Sequence, residues 1–413
     1  MALALDECYE SAQLSSRKDC NPMTAKHGDG LHTGLHDGRS ETGDALLLTP
    51  GPLTTSRRVK EVMVHDWGSR DAAFLKVNKD VLEQLPDVIH GAGRFVTVPM
   101  QGSGTFAVEA MLTTFVPPQG KVLLIVNGAY GQRAKKILEI ARRAVVVCET
   151  PEDTPPDLAS IEKTLASDPG ITHVFVVHCE TTSGILNPVE RIAELVQRLG
   201  RRLLVDAMSA FGAIPLDSRT CAFDAVAASS NKCIEGVPGL GFVLCRQAAL
   251  DETKGNATTL VLDLHDQAQN LAKTGQYRFT PPIHVIVSFH QALQEFWTEG
   301  GQPGRGGRYL ANSKILSDGM QSLGFKPLLP DALQAPIIHT FHMPADPKFV
   351  FQRFYDALKD RGYVIYPGKL TVADSFRIGC IGRITPDDMR SFIATVAQVL
   401  ADMGVAQKTM SAA

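Results

Sequence analysis

Seven short apolar runs punctuate the first two thirds of the chain: "RFVTVPM", "KVLLIVNG", "RAVVVCE", "THVFVVHCE", "RRLLVDAM", "AFDAVAAS" and "GFVLCR". They are rich in Val, Ile, Leu and Phe and most lack strict polar alternation, which is the pattern of strands buried on both faces. Between several of them lie segments such as "GQRAKKILEIARR", "LASIEKTLAS" and "VERIAELVQRLG", whose apolar positions recur at helical spacing. This alternation predicts an α/β fold, a mostly parallel seven-stranded sheet between helices. In such a sheet a ligand sits at the carboxyl ends of the strands.

After about residue 282 the pattern changes. A long helical stretch, "HVIVSFHQALQEFWTEGG", is followed by "GRYLANSKILSDGMQSLGF", a strand "IIHTFHM", a helix "FVFQRFYDALKDRG", strands "YVIYPG" and "SFRIGCIG", and a last helix "PDDMRSFIATVAQVLADMG". We therefore expect a large α/β domain over 44–282 and a smaller C-terminal α+β domain over 283–413. Residues 1–43 are polar, glycine-dotted and without periodicity, and are expected to form a flexible extension. His27, His32 and His36 in that stretch are loosely spaced with no acidic shell, so a solvated tail is favoured over a metal site. No internal repeat is visible.

Composition narrows the partners. The chain has 413 residues, 44% hydrophobic and 21% charged, with a formal charge of −3. Nothing in that balance draws nucleic acid or an anionic membrane, so small molecules are the expected partners. No apolar run approaches the roughly 18 residues of a membrane span. The eight cysteines (Cys8, Cys20, Cys148, Cys179, Cys221, Cys233, Cys245 and Cys380) show no CxxC spacing, which suits a reducing cytoplasm and suggests neither a zinc site nor a disulfide framework.

The chemistry-bearing residues stand at the ends of the predicted strands. "MQGSGTFAVEAML" places Gly102, Ser103, Gly104 and Thr105 between a strand and an amphipathic helix. Free N–H groups and hydroxyls there suit an anion, and the same residues also suit a plain helix N-cap. "RRLLVDAM" ends on Asp206, an acid that needs a partner cation if buried, or else caps the next turn. "VHCETTSGILNP" presents Thr181 and Thr182 where they can bond a ring substituent, and "VNGAYGQRA" presents Tyr130 as a stacking face. Both stretches are equally compatible with ordinary turn chemistry. In "AVAASSNKCIEGVPG" the strand runs out into Lys232 among small neighbours. A solvated loop lysine needs no such setting, whereas an amine nucleophile withdrawn from water does. Arg377 lies inside the apolar strand "DSFRIGCIG", so its guanidinium calls for an anion, either a ligand or an acid such as Asp374.

Taken in order, the glycine/serine anion loop, the strand-end aspartate and the lysine of "SSNK" resemble the class V aminotransferases of the fold type I pyridoxal 5'-phosphate enzymes. The likeness extends through "LLLTPGPLTTSRRVKEVMVHDWGSRD", "NGAYGQRA", "HCETTSGILNP", "SSNKCIEGVPG" and "DSFRIGCIG", from about residue 45 to 405. It implies pyridoxal 5'-phosphate as cofactor, with Lys232 joined to the cofactor aldehyde and shuttling the substrate proton. It implies Asp206 as partner of the ring nitrogen, Thr181 near the ring oxygen, Tyr130 as the stacking residue, and Ser103, Gly104 and Thr105 on the phosphate. Position 130 is tryptophan in some relatives and tyrosine here. The resemblance also implies that Tyr277 and Thr280 of "QYRFTPP" reach the phosphate of a neighbouring subunit, hence a homodimer with shared sites, and that Arg377 binds the substrate acid group.

The implied reaction is amino transfer from 2-aminoethylphosphonate to pyruvate, giving phosphonoacetaldehyde and L-alanine, as in phosphonate degradation. An alanine or serine:glyoxylate aminotransferase is the alternative, since its cofactor residues look the same. A lyase or desulfurase would need a mobile cysteine. Cys380 is in a strand-like stretch and Cys233 directly follows the lysine, so neither suits that role. A non-catalytic binding protein would have no use for both Lys232 and Asp206.

Overall fold

The computed structural model describes residues 38–368 and 373–405. Cys8, Cys20, His27, His32 and His36, and with them most of the extension expected over 1–43, lie outside the described residues. Residues 38–43 belong to the fold: Arg39 bridges Ala45, and the amide of Ser40 donates to the carbonyl of Asp44 at 2.8 Å.

All seven apolar runs form strands of one sheet: β1 (Phe95–Gln101), β2 (Lys121–Val126), β3 (Ala144–Glu149), β4 (Ile171–Val177), β5 (Arg202–Asp206), β6 (Ala225–Ser229) and β7 (Leu240–Arg246). Their spatial order is β1-β7-β6-β5-β4-β2-β3, with β7 antiparallel to both neighbours and every other pairing parallel. Successive side chains go to opposite faces. Leu123, Ile125, Val174 and Val176 join one core with α1 (Ala72–Gln84) and α7 (Ile283–Thr298), and Val122, Leu124 and Phe175 join another with α2 (Gly104–Phe115) and α3 (Ala129–Ile140). In between in the chain come α4 (Leu158–Ser167), α5 (Val189–Arg198) and α6 (Leu264–Thr274). The sheet is thus apolar on both sides because helices cover both sides.

A second sheet is built from β8 (Ile338–His342), β9 (Tyr366–Pro367) and β10 (Ser375–Gly379), antiparallel in the order β8-β10-β9. It packs with α8 (Gly301–Ser322), α9 (Phe351–Asp360) and α10 (Pro386–Asp402) around Phe325, Phe341, Phe354 and Phe376. Leu46 and Leu48 are buried in this same core, because strand Leu46–Leu47 pairs in parallel with Tyr363–Val364. The early segment assigned by sequence to the large domain therefore packs with the C-terminal elements before crossing to the sheet.

Two elements differ from the sequence expectation. The run "THVFVVHCE" breaks after Val177, and Cys179–Glu180 turns back onto Ile185–Leu186 as a small hairpin closed by Gly184 at φ +98. Helix α8 begins at Gly301, several residues before the expected "GRYL". Pro303 falls in its first turn, where no intrahelical donor is needed. A Cβ on Gly306 would stand 2.3 Å from the carbonyl oxygen of Ala213, so glycine permits the close approach.

Among the described residues no helix is long and apolar enough to cross a membrane. The core makes a direct stability prediction. Phe242 is wholly buried between Phe211 and Phe289, with ring centroids 5.3 and 5.7 Å away. Phe242→Ala should cost about 3–5 kcal/mol in urea unfolding, whereas Ile140→Ala, on an exposed helix position, should stay within about 0.5 kcal/mol.

Candidate active site

A cavity of about 400 Å³ opens at the carboxyl ends of β1, β4, β5 and β6, bordered by Ser103, Cys179, Asp206 and Ser229 from those strand ends, with Tyr130, Arg133 and Lys232. Parallel strands end on one edge, so side chains far apart in sequence meet there.

The glycine loop turns at Gly102, whose φ of +121 suits glycine, and its amide donates to the carbonyl of Gly239 at 2.9 Å. Ser103 is the N-cap residue of α2, yet its hydroxyl makes no capping bond. The helix N-terminus and the Ser103 hydroxyl are thus left for an anion, which favours the anion seat over the plain cap. A Cβ on Gly104 would lie 2.3 Å from the sulfur of Met208, so the loop packs directly on the turn that follows β5.

That turn carries Asp206, 4% exposed at the end of its strand. Its Oδ1 accepts from the amide of Met208 at 2.9 Å. Burial pushes its carboxyl up to about 6, against the opposing pull of that hydrogen bond and of the charges of Arg133 and Lys232. A carboxylate in this state is stabilised by any cation placed in the cavity.

Lys232 follows β6. Its Nζ donates to the carbonyls of Pro50 at 2.8 Å and Gly51 at 3.4 Å. Burial brings its ammonium down to about 8, although the Asp206 carboxylate favours the charged form. Gly51 has φ +113, and a Cβ there would stand 2.7 Å from the lysine Nζ. Only glycine lets the chain cross so close to the amine. The Oγ of Ser229, buried and without a partner, completes this wall.

Tyr130 borders the cavity at the start of α3, and its amide donates to the buried Glu180 at 3.0 Å. Burial raises the Glu180 carboxyl, while bonds from Thr182 and Tyr130 work the other way. Arg133, one turn on, lies over the Tyr130 ring at 4.8 Å and donates to Thr105 Oγ1 at 3.1 Å. Sequence reading did not single out Glu180, Arg133, Met208, Ser229 or the Pro50–Gly51 crossing. Glu180 and Arg133 stand inside motifs already quoted, but nothing in their spacing says what they touch.

The remaining expected residues fall elsewhere. Thr182 is taken up within the hairpin, donating to Glu180 at 2.6 Å and accepting from Ala129 at 3.1 Å. Thr181 is buried beside it, away from the cavity lining, with its carbonyl accepting from Arg377 at 2.8 Å. Arg377 is 3% exposed, and its other bonds go to the carbonyl of Pro367 at 3.2 Å. Among the described residues it has no ion pair with Asp374 or any other acid, and burial lowers its pKa. Tyr277 and Thr280 line a separate pocket of about 330 Å³ with Arg70 and Arg278.

The donor set fits pyridoxal 5'-phosphate: an open anion seat, a desolvated amine, a buried carboxylate, an aromatic face and an orphaned hydroxyl surround one ring-sized space. The aminotransferase class-V family profile matches residues 68–304. Over 362 residues the chain is 53% identical to a 2-aminoethylphosphonate–pyruvate transaminase of Cupriavidus taiwanensis, covering 88% of this chain and 96% of that protein. Over 360 residues it is 51% identical to the transaminase of the same name from Pseudomonas putida, covering 87% and 98%. Among solved structures it superposes on ureidoglycine-glyoxylate aminotransferase from Bacillus subtilis with a TM-score of 0.80 at 20% identity, over 95% of this chain and 97% of that one. Pyridoxamine-pyruvate aminotransferase from Mesorhizobium loti matches with a TM-score of 0.80 at 22% identity, over 89% and 95%. These two carry the fold, while the first two and the family match carry kinship: the chain belongs to the class V aminotransferases.

Proposed function

We propose that this protein transfers the amino group of 2-aminoethylphosphonate to pyruvate, leaving phosphonoacetaldehyde and L-alanine. One observation carries the chemistry: the Lys232 amine and the Asp206 carboxylate border a single cavity that is also lined by a helix N-terminus without a side-chain cap. Relatives about half identical over nearly their whole length bear that activity in their names, which supports the choice of substrates over an alanine or serine:glyoxylate pair.

Bound in the cavity, pyridoxal phosphate supplies an aldehyde and an electron-withdrawing ring. Ser103, Gly104 and Thr105 hold its phosphate at the N-terminus of α2. Asp206 holds a proton on the ring nitrogen by charge pairing, which also returns its own pKa toward the ordinary carboxylate range. Tyr130 offers the stacking face. Lys232 Nζ is the nucleophile, and the same nitrogen moves the proton from the amine-bearing carbon of the substrate. Its lowered pKa keeps an unprotonated fraction near neutral pH. Arg377, buried without a carboxylate partner, receives the phosphonate of the donor and the carboxylate of pyruvate through its planar fork.

The division of labour follows the two sheets: the cofactor residues stand on the large sheet, whose core takes in α7 beyond residue 282, and Arg377 stands on the smaller one, whose core takes in Leu46 and Leu48. We assign Tyr277 and Thr280 to the phosphate bound by a second copy of the chain, so that the working unit is a homodimer with shared sites. The free cysteines among the described residues, buried except for the half-buried Cys148, suit a cytoplasmic location.

The substrate choice is tested by incubating the purified protein with 2-aminoethylphosphonate and pyruvate, and in parallel with alanine and glyoxylate. Alanine should form much faster in the first than glycine in the second, and the reverse ranking refutes the assignment. Lys232→Ala should abolish the visible absorption band formed with pyridoxal phosphate, and Asp206→Asn should lower turnover by about 10²–10⁴-fold. Below about pH 8 the Lys232 amine is mostly protonated and cannot attack. Capture of pyridoxal phosphate by the cofactor-free protein, followed by its visible band, should therefore accelerate as pH rises through that value.

A further inference from the structure

Immediately beyond Lys232 the chain makes a turn in which the amide of Glu235 donates to the carbonyl of Lys232 at 2.8 Å. Glu235 itself has φ +64, a left-handed conformation that residues other than glycine seldom adopt, and it is 2% exposed. A buried carboxylate on such a backbone is retained only where its surroundings hold it. Here they do. The Tyr309 hydroxyl donates to Glu235 Oε1 at 2.5 Å, Arg308 Nη2 reaches the same oxygen at 2.7 Å, and Arg305 Nη1 lies 3.5 Å from it. Glu299 fixes the two arginines from the other side, at 2.6 and 2.7 Å.

This cluster ties together two segments remote in sequence. Arg305 Nη1 donates to the carbonyl of Cys233, next to the lysine, at 2.6 Å. Arg308 Nη1 donates to the carbonyls of Gly382 at 2.6 Å and Ile384 at 3.0 Å, and the amide of Gly382 donates to the Tyr309 hydroxyl at 3.2 Å. Gly382 follows β10, the strand that carries Arg377. One buried ionic cluster, with Arg305, Arg308 and Tyr309 on α8, thus holds the Lys232 turn and the segment leaving the Arg377 strand.

We propose that Glu235 is a positioning residue for Lys232: its carboxylate, clamped by Arg305, Arg308 and Tyr309, holds the lysine turn so that the amine stays pressed against the Pro50 and Gly51 carbonyls and out of water. The inference rests on the reading above only for the importance of the Lys232 amine. The charged groups acting on that amine are Asp206 from the end of β5 and Arg133 from α3; the neighbouring Cys233 thiol, pushed up to about 12 by burial, stays neutral. Glu235 acts on it through the backbone and is not a catalytic residue.

The test uses the cofactor-free full-length protein and no substrate, so it stands whatever the amino donor proves to be. Lys232 is labelled with trinitrobenzenesulfonate at a series of pH values and the modified peptide is quantified by mass spectrometry. The wild-type midpoint should lie near 8. In Glu235→Gln, which keeps the shape and removes the charge, the midpoint should move up by about one unit toward an exposed lysine. Glu235→Gly, which relaxes the backbone but also lacks the carboxylate, should move in the same direction. Tyr309→Phe, which removes one bond to the carboxylate, should give a smaller upward shift and serves if either glutamate variant fails to fold. Folded variants whose midpoint stays at the wild-type value overturn the proposal, as does a shift in Glu235→Gly alone, which would assign the effect to the backbone.

Discussion

The removal of one ammonium group from water organises this molecule. Lys232 gives up bulk hydration for two backbone carbonyls, those of Pro50 and Gly51, and that exchange leaves its pKa near 8. Two carbonyls are a modest replacement for solvent, which is why the proton is held loosely. The arrangement requires the chain before the sheet to cross the lysine at contact distance. Gly51 makes that crossing sterically feasible, and the pairing of Leu46–Leu47 with Tyr363–Val364 anchors it.

The opposite adjustment at Asp206 comes from the same low-polarity surroundings. Burial favours the neutral form of both groups, drawing the lysine down and the aspartate up. A cofactor with an electrophilic carbon at one end and a basic ring nitrogen at the other satisfies both at once. The structure therefore places an amine and a carboxylate in a single cavity, with the helix N-terminus of α2 as the third fixed point. Arg377 extends the logic, being a buried cation whose present partners are neutral carbonyls.

Arg133 and Glu180 show how much a motif leaves unsaid. Both sit within stretches whose importance was plain, yet one lies over Tyr130 and the other ties Tyr130 to the hairpin at Thr182. The Glu235 cluster was less visible still, since its five members are spread from residue 235 to residue 309. Thr182 shows the converse: a hydroxyl that suited a ligand in sequence is occupied by Glu180 and the Ala129 amide.

The sheet was legible because burial on two faces imposes continuous apolar runs, and all seven formed strands. Ser103, Gly104, Thr105, Tyr130, Asp206 and Lys232 were legible because strand ends in a parallel sheet converge on one edge. Local pattern reports only what a residue and its near neighbours can do. The break of the fourth run into a hairpin, the early start of α8, the passage of Pro50 and Gly51 over the lysine, and the buried pairs around Glu235 depend on segments remote in sequence. Hydrogen bonds and desolvation act through space at a few ångströms, so those features came into being only when the chain had folded.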